Sequence, residues 1–170
     1  MKSHQIAASA VLNTHLHFDH SGGLRAAASE GIAIATFRDN VKFLKDAYAG
    51  TDKIRPDAFT KSKKQAKFIP LEDKHVFSDG NRSIEMHRFI GNPHNTGLYV
   101  IYLPKENILS VADAYSGRAI RKAPAKRVSN SAENLWQNLV RLKLDIETVL
   151  PIHGKKVGFE QFKMTAGQKP

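Results

Sequence analysis

Between Thr14 and His20 the chain reads Thr-His-Leu-His-Phe-Asp-His, three histidines and one aspartate within six residues. Imidazole and carboxylate are donors suited to Zn(II), with Fe or Mn as alternatives. The run follows directly on a predicted strand, Ala8–Asn13. Side chains alternate faces in extended chain, so His15 and His17 can reach one ion from the same side. Asp19 and His20 are adjacent and need a bend to converge. Ser21-Gly22-Gly23 permits that bend and lets the backbone approach closely. A polar loop with surface histidines explains one or two of these residues, not their spacing after a strand.

Three more ligand-type residues follow at predicted strand ends: His94 in a turn ahead of a strand, Asp113 after a strand, and His153 after another. A lone His or Asp at a strand end is more often structural, so the weight lies in their order behind the first motif. The chain has no cysteine, which removes disulfides, thiol nucleophiles and thiolate sites together. Any metal site is therefore built from His and carboxylate. His4, His75 and His87 read as structural or solvent-exposed, with His87 facing away from the core. Tyr115, two residues beyond Asp113, is a candidate substrate contact that can donate to an oxyanion, and packing explains it equally well. Arg118, Arg121, Lys122, Lys126 and Arg127 follow on a basic loop, which either draws anionic substrate or is simply solvated.

The elements that must position these residues alternate between strand and helix, as in a layered α/β protein. A helix is expected from Ser21, as N-cap, to Glu30, stopped by Gly31. A strand at Ile32–Thr36 follows, then an amphipathic helix over Asp39–Tyr48 with Val41, Leu44 and Tyr48 on one face. Thr51–Lys67 reads as a basic surface excursion. Short strands are expected within Phe68–Asp79, and further strands at Arg82–Ile90, Leu98–Leu103, Asn107–Val111 and Ile146–Leu150. Ser131–Leu144 has Leu135, Leu139 and Leu142 at helical spacing, and a tail helix is expected near Gly158–Met164.

His15-x-His17-x-Asp19-His20 resembles the signature of the metallo-β-lactamase superfamily, and His94, Asp113 and His153 follow in that family's order. The resemblance runs from about Ala8 to about Gly158. The segments HFDHSGGLR, GNPHNTGLYVIYLPKENIL and NLVRLKLDIETVLPIHG look most like a group of uncharacterised metallo-hydrolases of that superfamily. Several true lactamase classes place Cys or Ser where this chain has Asp113, which favours a general hydrolase. The resemblance implies two zinc ions, one on His15, His17 and His94, the other on Asp19, His20 and His153, with Asp113 bridging and Asp19 orienting a metal-bridging hydroxide. It implies an α/β (α+β) fold, the family's αβ/βα sandwich, in one domain over residues 1–170. The family places a run of strands ahead of its first motif, whereas fourteen residues precede His15 here. The expectation is therefore a sandwich lacking most of its N-terminal sheet, prone to self-association through exposed sheet.

Composition bounds the rest. At 170 residues the chain is long enough for one domain with a real core. Lys and Arg total 26 against 16 Asp and Glu, a net charge of +10. Such a surface attracts anions, yet the basic residues are spread along the chain. The leading expectation is a hydrolase of a small carbonyl substrate (ester, lactone, thioester or lactam). The alternatives are a phosphodiesterase or nuclease, and a truncated metal-binding domain without turnover. No apolar run approaches the ~20 residues of a membrane span, and the expected location is cytoplasmic.

Overall fold

The computed structural model describes residues 8–50, 53–117 and 121–169; His4 and Arg118 lie outside them. The chain divides into two compact units, Met1–Glu72 and Asp73–Pro170.

In the first unit, β1 (Ala10–Leu12), β2 (Ala33–Phe37) and β3 (Phe68–Leu71) form a parallel sheet in that order. Parallel neighbours cannot be joined by a hairpin, so helices fill the crossovers. These are α1 (Phe18–Ser21) and α2 (Leu24–Glu30), then α3 (Asn40–Ala49) and α4 (Ala58–Ser62). Gly31 ends α2 in the left-handed region at φ 85° and donates its N–H to the Ala27 and Ala28 carbonyls. The core joins Leu24, Ala28, Ile34 and Phe59, with Val11, Tyr48 and Phe68 packed on them.

Two local expectations are corrected here. The surface excursion over Thr51–Lys67 contains α4, and Phe59 is buried; residues 51 and 52 lie outside the described set. Asp57 caps α4 by accepting from the Thr60 N–H at 2.8 Å. It also accepts from Arg25 Nη2 of α2 at 3.1 Å, and Arg25 lies over the rings of Tyr48 and Phe59. The Arg25 hydrogen bond, aided by Thr60, holds the Asp57 carboxyl well below the usual carboxylate range. Ser21 does not cap a helix running to Glu30. It ends α1, and its hydroxyl donates to the Leu16 and His17 carbonyls at 3.1 and 2.9 Å.

In the second unit, six strands lie side by side in chain order: β4 (Lys74–Ser78), β5 (Ser83–Arg88), β6 (Tyr99–Leu103), β7 (Ile108–Val111), β8 (Thr148–Pro151) and β9 (Val157–Gly158). Every pair is antiparallel except β7 with β8. That parallel pair requires a long crossover, which contains α5 (Asn130–Leu142). The helix α6 (Phe159–Thr165) follows β9. Leu135 and Leu139 of α5 and Phe162 of α6 pack with Phe89, Leu98, Val100, Leu109 and Val111 into one core. The cap of α5 is Ser129, whose hydroxyl accepts from the Ala132 N–H at 3.2 Å.

His87 is a third correction. It does not face away from the core: Met86 and His87 are 0% and 3% exposed. Consecutive strand residues point to opposite faces, so both faces of β5 are covered at this point and alternation cannot separate inside from outside. Burial pushes the His87 imidazole below its ordinary pKa, although its Nε2 meets Glu85 Oε2 at 2.8 Å. His75 is half-buried and lies against Phe77.

Candidate metal centre

In the first unit the His-rich segment leaves β1 and is gathered by hydrogen bonds to its backbone. Asn13 is buried and donates to the carbonyls of His15 and His20 at 2.7 and 3.2 Å. Its own carbonyl oxygen accepts from the buried Thr36 hydroxyl of β2 at 2.9 Å. One side chain thus spans the segment and anchors it to the sheet. The turn α1 is tight, with Gly22 N–H donating to Phe18 O at 2.7 Å, and a Cβ at Gly22 would come within 2.8 Å of that oxygen. As a result the ring of His15, itself fully buried, lies 4.7 Å from that of His17 and 4.3 Å from that of His20. Asp19 Oδ2 stands 3.4 Å from His20 Nε2.

In the second unit three loops converge. Asp113 follows β7, His153 follows β8, and His94 lies between β5 and β6. His94 Nε2 meets one oxygen of Asp113 at 2.7 Å, and His153 Nε2 meets the other at 3.2 Å. A carboxylate bracketed by two imidazoles, one on each oxygen, has the chemistry of a ligand able to serve two cations. Each of the seven residues named from the sequence offers a nitrogen or oxygen atom of the kind that holds a divalent ion.

What holds the second set in place was not legible from its ligands. Asn92 Oδ1 accepts from the backbone N–H of His94 at 2.9 Å. Its amide nitrogen donates to Asn134 Oδ1 of α5 at 2.9 Å. Asn138, one turn on, accepts from the Ile90 N–H at 2.9 Å and donates to the Ile90 carbonyl at 3.1 Å. Two asparagines of α5 therefore hold the start of the loop that carries His94. Their spacing on one helix face is visible in the sequence, but asparagine has many surface uses and nothing there singles them out. His153 is set by a close crossing of chains: a Cβ on Gly154, at φ 146°, would fall on the Ser116 carbonyl oxygen. Only glycine tolerates both that conformation and that contact.

A family model described as the metallo-beta-lactamase superfamily matches residues 7–153. The chain belongs to the metallo-β-lactamase superfamily. The matched span opens just ahead of the His15 motif and closes on His153, so all seven ligand-type residues of this superfamily member lie within it. Its fold resembles a metallo-beta-lactamase from Pontibacter korlensis at 18% identity and TM-score 0.61, covering 93% of this chain and 67% of that one. It resembles a metallo beta lactamase from Hirschia baltica at 19% identity and TM-score 0.61, covering 97% of this chain and 69% of that one. It also resembles the flavodiiron protein from Giardia intestinalis at 16% identity and TM-score 0.62, covering 93% of this chain and 40% of that one. No curated protein sequence matches it. Likeness at these identities speaks to the fold alone, and a fold does not fix one chemistry. Among the described residues no helix is long and apolar enough to cross a membrane.

Tyr115 sits beside the converged loops of the superfamily member's second unit. With His94, Asp113, Ser116 and His153 it lines a cavity of about 210 Å³. Its ring packs edge-on against Phe162 of α6 at 5.2 Å. Its hydroxyl is buried and has no hydrogen-bond partner among the described residues. Packing and an unspent donor are thus both present, so neither of the two readings of Tyr115 displaces the other.

Proposed function

We propose that this chain is a dinuclear metal-dependent hydrolase acting on a small carbonyl substrate (ester, lactone, thioester or lactam), with both compact units contributing to one metallo-β-lactamase domain. The observation that carries this reading is Asp113, with His94 and His153 on its two oxygens. Hydrogen bonding between an imidazole and a carboxylate uses the same atoms that would otherwise face cations, so the donor set fits a pair of divalent ions. In this reading His15, His17 and His94 hold one zinc, Asp19, His20 and His153 hold the other, and Asp113 bridges, with Fe or Mn as alternative metals. When bound, such a pair supplies a hydroxide nucleophile near neutral pH and polarises the carbonyl oxygen. The chain's own part is positional. Asn13 fixes the His15–His20 segment, Asn92 with Asn134 and Asn138 fixes His94, and Gly154 admits the crossing that sets His153. Asp19 orients the nucleophile as a proton acceptor. Tyr115 is a substrate contact.

The test is turnover and metal content measured together on the full chain. A panel of esters, lactones, thioesters and lactams is run beside a phosphodiester and a single-stranded oligonucleotide. Hydrolysis of a carbonyl substrate that stops with a chelator and returns with zinc is the expected result. Preferential cleavage of the phosphodiester or oligonucleotide, falling steeply with salt, replaces this reading with the nuclease one. Metal binding without turnover on any substrate defeats both. Self-association through the half-exposed edge strand β1 belongs to the same proposal, and light scattering of the purified chain tests it.

A further inference from the structure

His94 sits on the loop from β5 to β6, closed at its base by the Phe89 N–H donating to the Leu98 carbonyl at 2.9 Å. The asparagines of α5 hold the start of this loop at Ile90. Its far end, beyond His94, is gripped from another direction. Arg88, the last residue of β5, donates from Nη1 to the Thr96 carbonyl at 3.2 Å. The rest of that guanidinium is fixed: Nε and Nη2 both meet Asp73 Oδ1, at 2.8 and 2.6 Å. The Arg88 backbone N–H also donates to the Asp73 carbonyl at 2.8 Å. A guanidinium presents its donors in a rigid planar fork, so two N–H groups held on one carboxylate aim the third. Arg88 is tied to the start of the loop as well. Its carbonyl accepts from Arg141 Nη2 of α5 at 3.2 Å, and the same nitrogen donates to Asn138 Oδ1 at 3.0 Å. Asn138 Oδ1 is the atom that accepts the Ile90 N–H. The contacts thus close a ring, from Arg88 to Thr96, back along the loop to Ile90, and through Asn138 and Arg141 to Arg88 again.

We propose that Arg88 is a positioning residue for His94, acting through the Thr96 carbonyl to fix the end of the loop whose start α5 holds. Asp73 is the anchor that aims the fork, and Arg141 joins the two grips. This assignment rests on the hydrolase reading above only in taking His94 as a metal ligand. A purely structural Arg88–Asp73 pair is the competing account. The Asp73 side chain is 64% exposed, and such a pair contributes little to stability. The two accounts therefore part at His94 rather than at the melting point.

Two measurements on the full chain decide it. The first uses the chain after chelation and needs no metal. Arg88→Gln should move the His94 ring resonances and speed hydrogen exchange at the Gly97 amide, while the His15, His17 and His20 rings stay and the melting temperature falls by no more than about 4 °C. An unmoved His94 ring overturns the assignment. So does a fall in melting temperature large enough to move every histidine ring together. The second is zinc titration against a competing chelator. Arg88→Gln should weaken one of the two binding steps about tenfold, the size expected when a partner behind a ligand is lost, and it should be the step that His94→Ala weakens more. Equal weakening of both steps, or of neither, overturns it. Arg88→Lys separates charge from fork: a single ammonium keeps the charge beside Asp73 but cannot reproduce the planar set of donors, so it should resemble Arg88→Gln. Full rescue by lysine overturns the fork and leaves charge alone. If His94→Ala changes neither zinc step, the hydrolase reading of His94 has failed, and the ring resonances still decide the role of Arg88.

Discussion

The two units carry the same kinds of ligand side chain and assemble them in opposite ways. In the first, His15, His17, Asp19 and His20 come from one short segment, and a single residue, Asn13, ties both ends of it to the sheet. In the second, His94, Asp113 and His153 come from three loops that meet only because three strands end side by side. The local set depends on one anchor. The assembled set depends on several unrelated contacts, each placing one ligand. Damage to the first should therefore be collective, and damage to the second divisible.

The largest expected effect tests the divisible set at its tightest point. Gly154→Ala puts a Cβ onto the Ser116 carbonyl at a backbone angle that L-residues avoid. It should cost about 2–5 kcal/mol of folding stability, read by denaturant titration. A cost below about 1 kcal/mol means that the two loops can separate freely and that the crossing does not set His153. Next is Asp113→Ala, which should weaken binding of a second zinc more than the first, because it removes the charge that offsets repulsion between two dications. Metal titration showing equal loss at both sites, or none, would count against a bridging Asp113.

A smaller effect compares the two anchors directly. Asn138→Ala leaves the Ile90 N–H without its acceptor and should cost about 1–3 kcal/mol. The His94 ring resonances should move while those of His15, His17 and His20 stay. Asn13→Ala should cost a similar amount and move all three first-unit rings together. If Asn13→Ala moved only one of them, the collective character of the local set would be lost. The smallest effect concerns His87. Its folded-state pKa lies below the unfolded value of about 6.5 because it is buried. Its neutral form therefore contributes stability that is complete above that pH and is lost as pH falls toward the folded pKa. Melting temperature should fall between pH 7 and pH 5, and His87→Gln should flatten part of that slope.

The same contrast explains what the sequence could reveal. The His15–His20 segment is legible because spacing alone carries its meaning. His94, Asp113 and His153 are legible only in order behind it, since one His or Asp at a strand end has many uses. The strands were legible within a residue or two wherever a hydrophobic run is bounded by turn residues, as at β6 and β7. What escaped depends on partners far along the chain. The helix α4 exists because Asp57 caps it and Arg25, some thirty residues earlier, holds Asp57. Asn134 and Asn138 become positioning residues only when α5 lies against the loop at Ile90. His87 is buried because both faces of β5 are covered, which alternation along one strand cannot report. The helix α5 begins at Asn130, one residue ahead of its expected start, because Ser129 and Ser131 are chemically equal caps and backbone geometry decides between them.

The proposed function requires the contiguous set and the assembled set to serve one pair of metal ions. Zinc-edge anomalous diffraction from crystals of the zinc-loaded chain tests it most directly. Two peaks ~3.5–4 Å apart are expected, one held by His15, His17 and His94, the other by Asp19, His20 and His153, with Asp113 touching both. A single peak, or ions held by the residues of one unit alone, would contradict it.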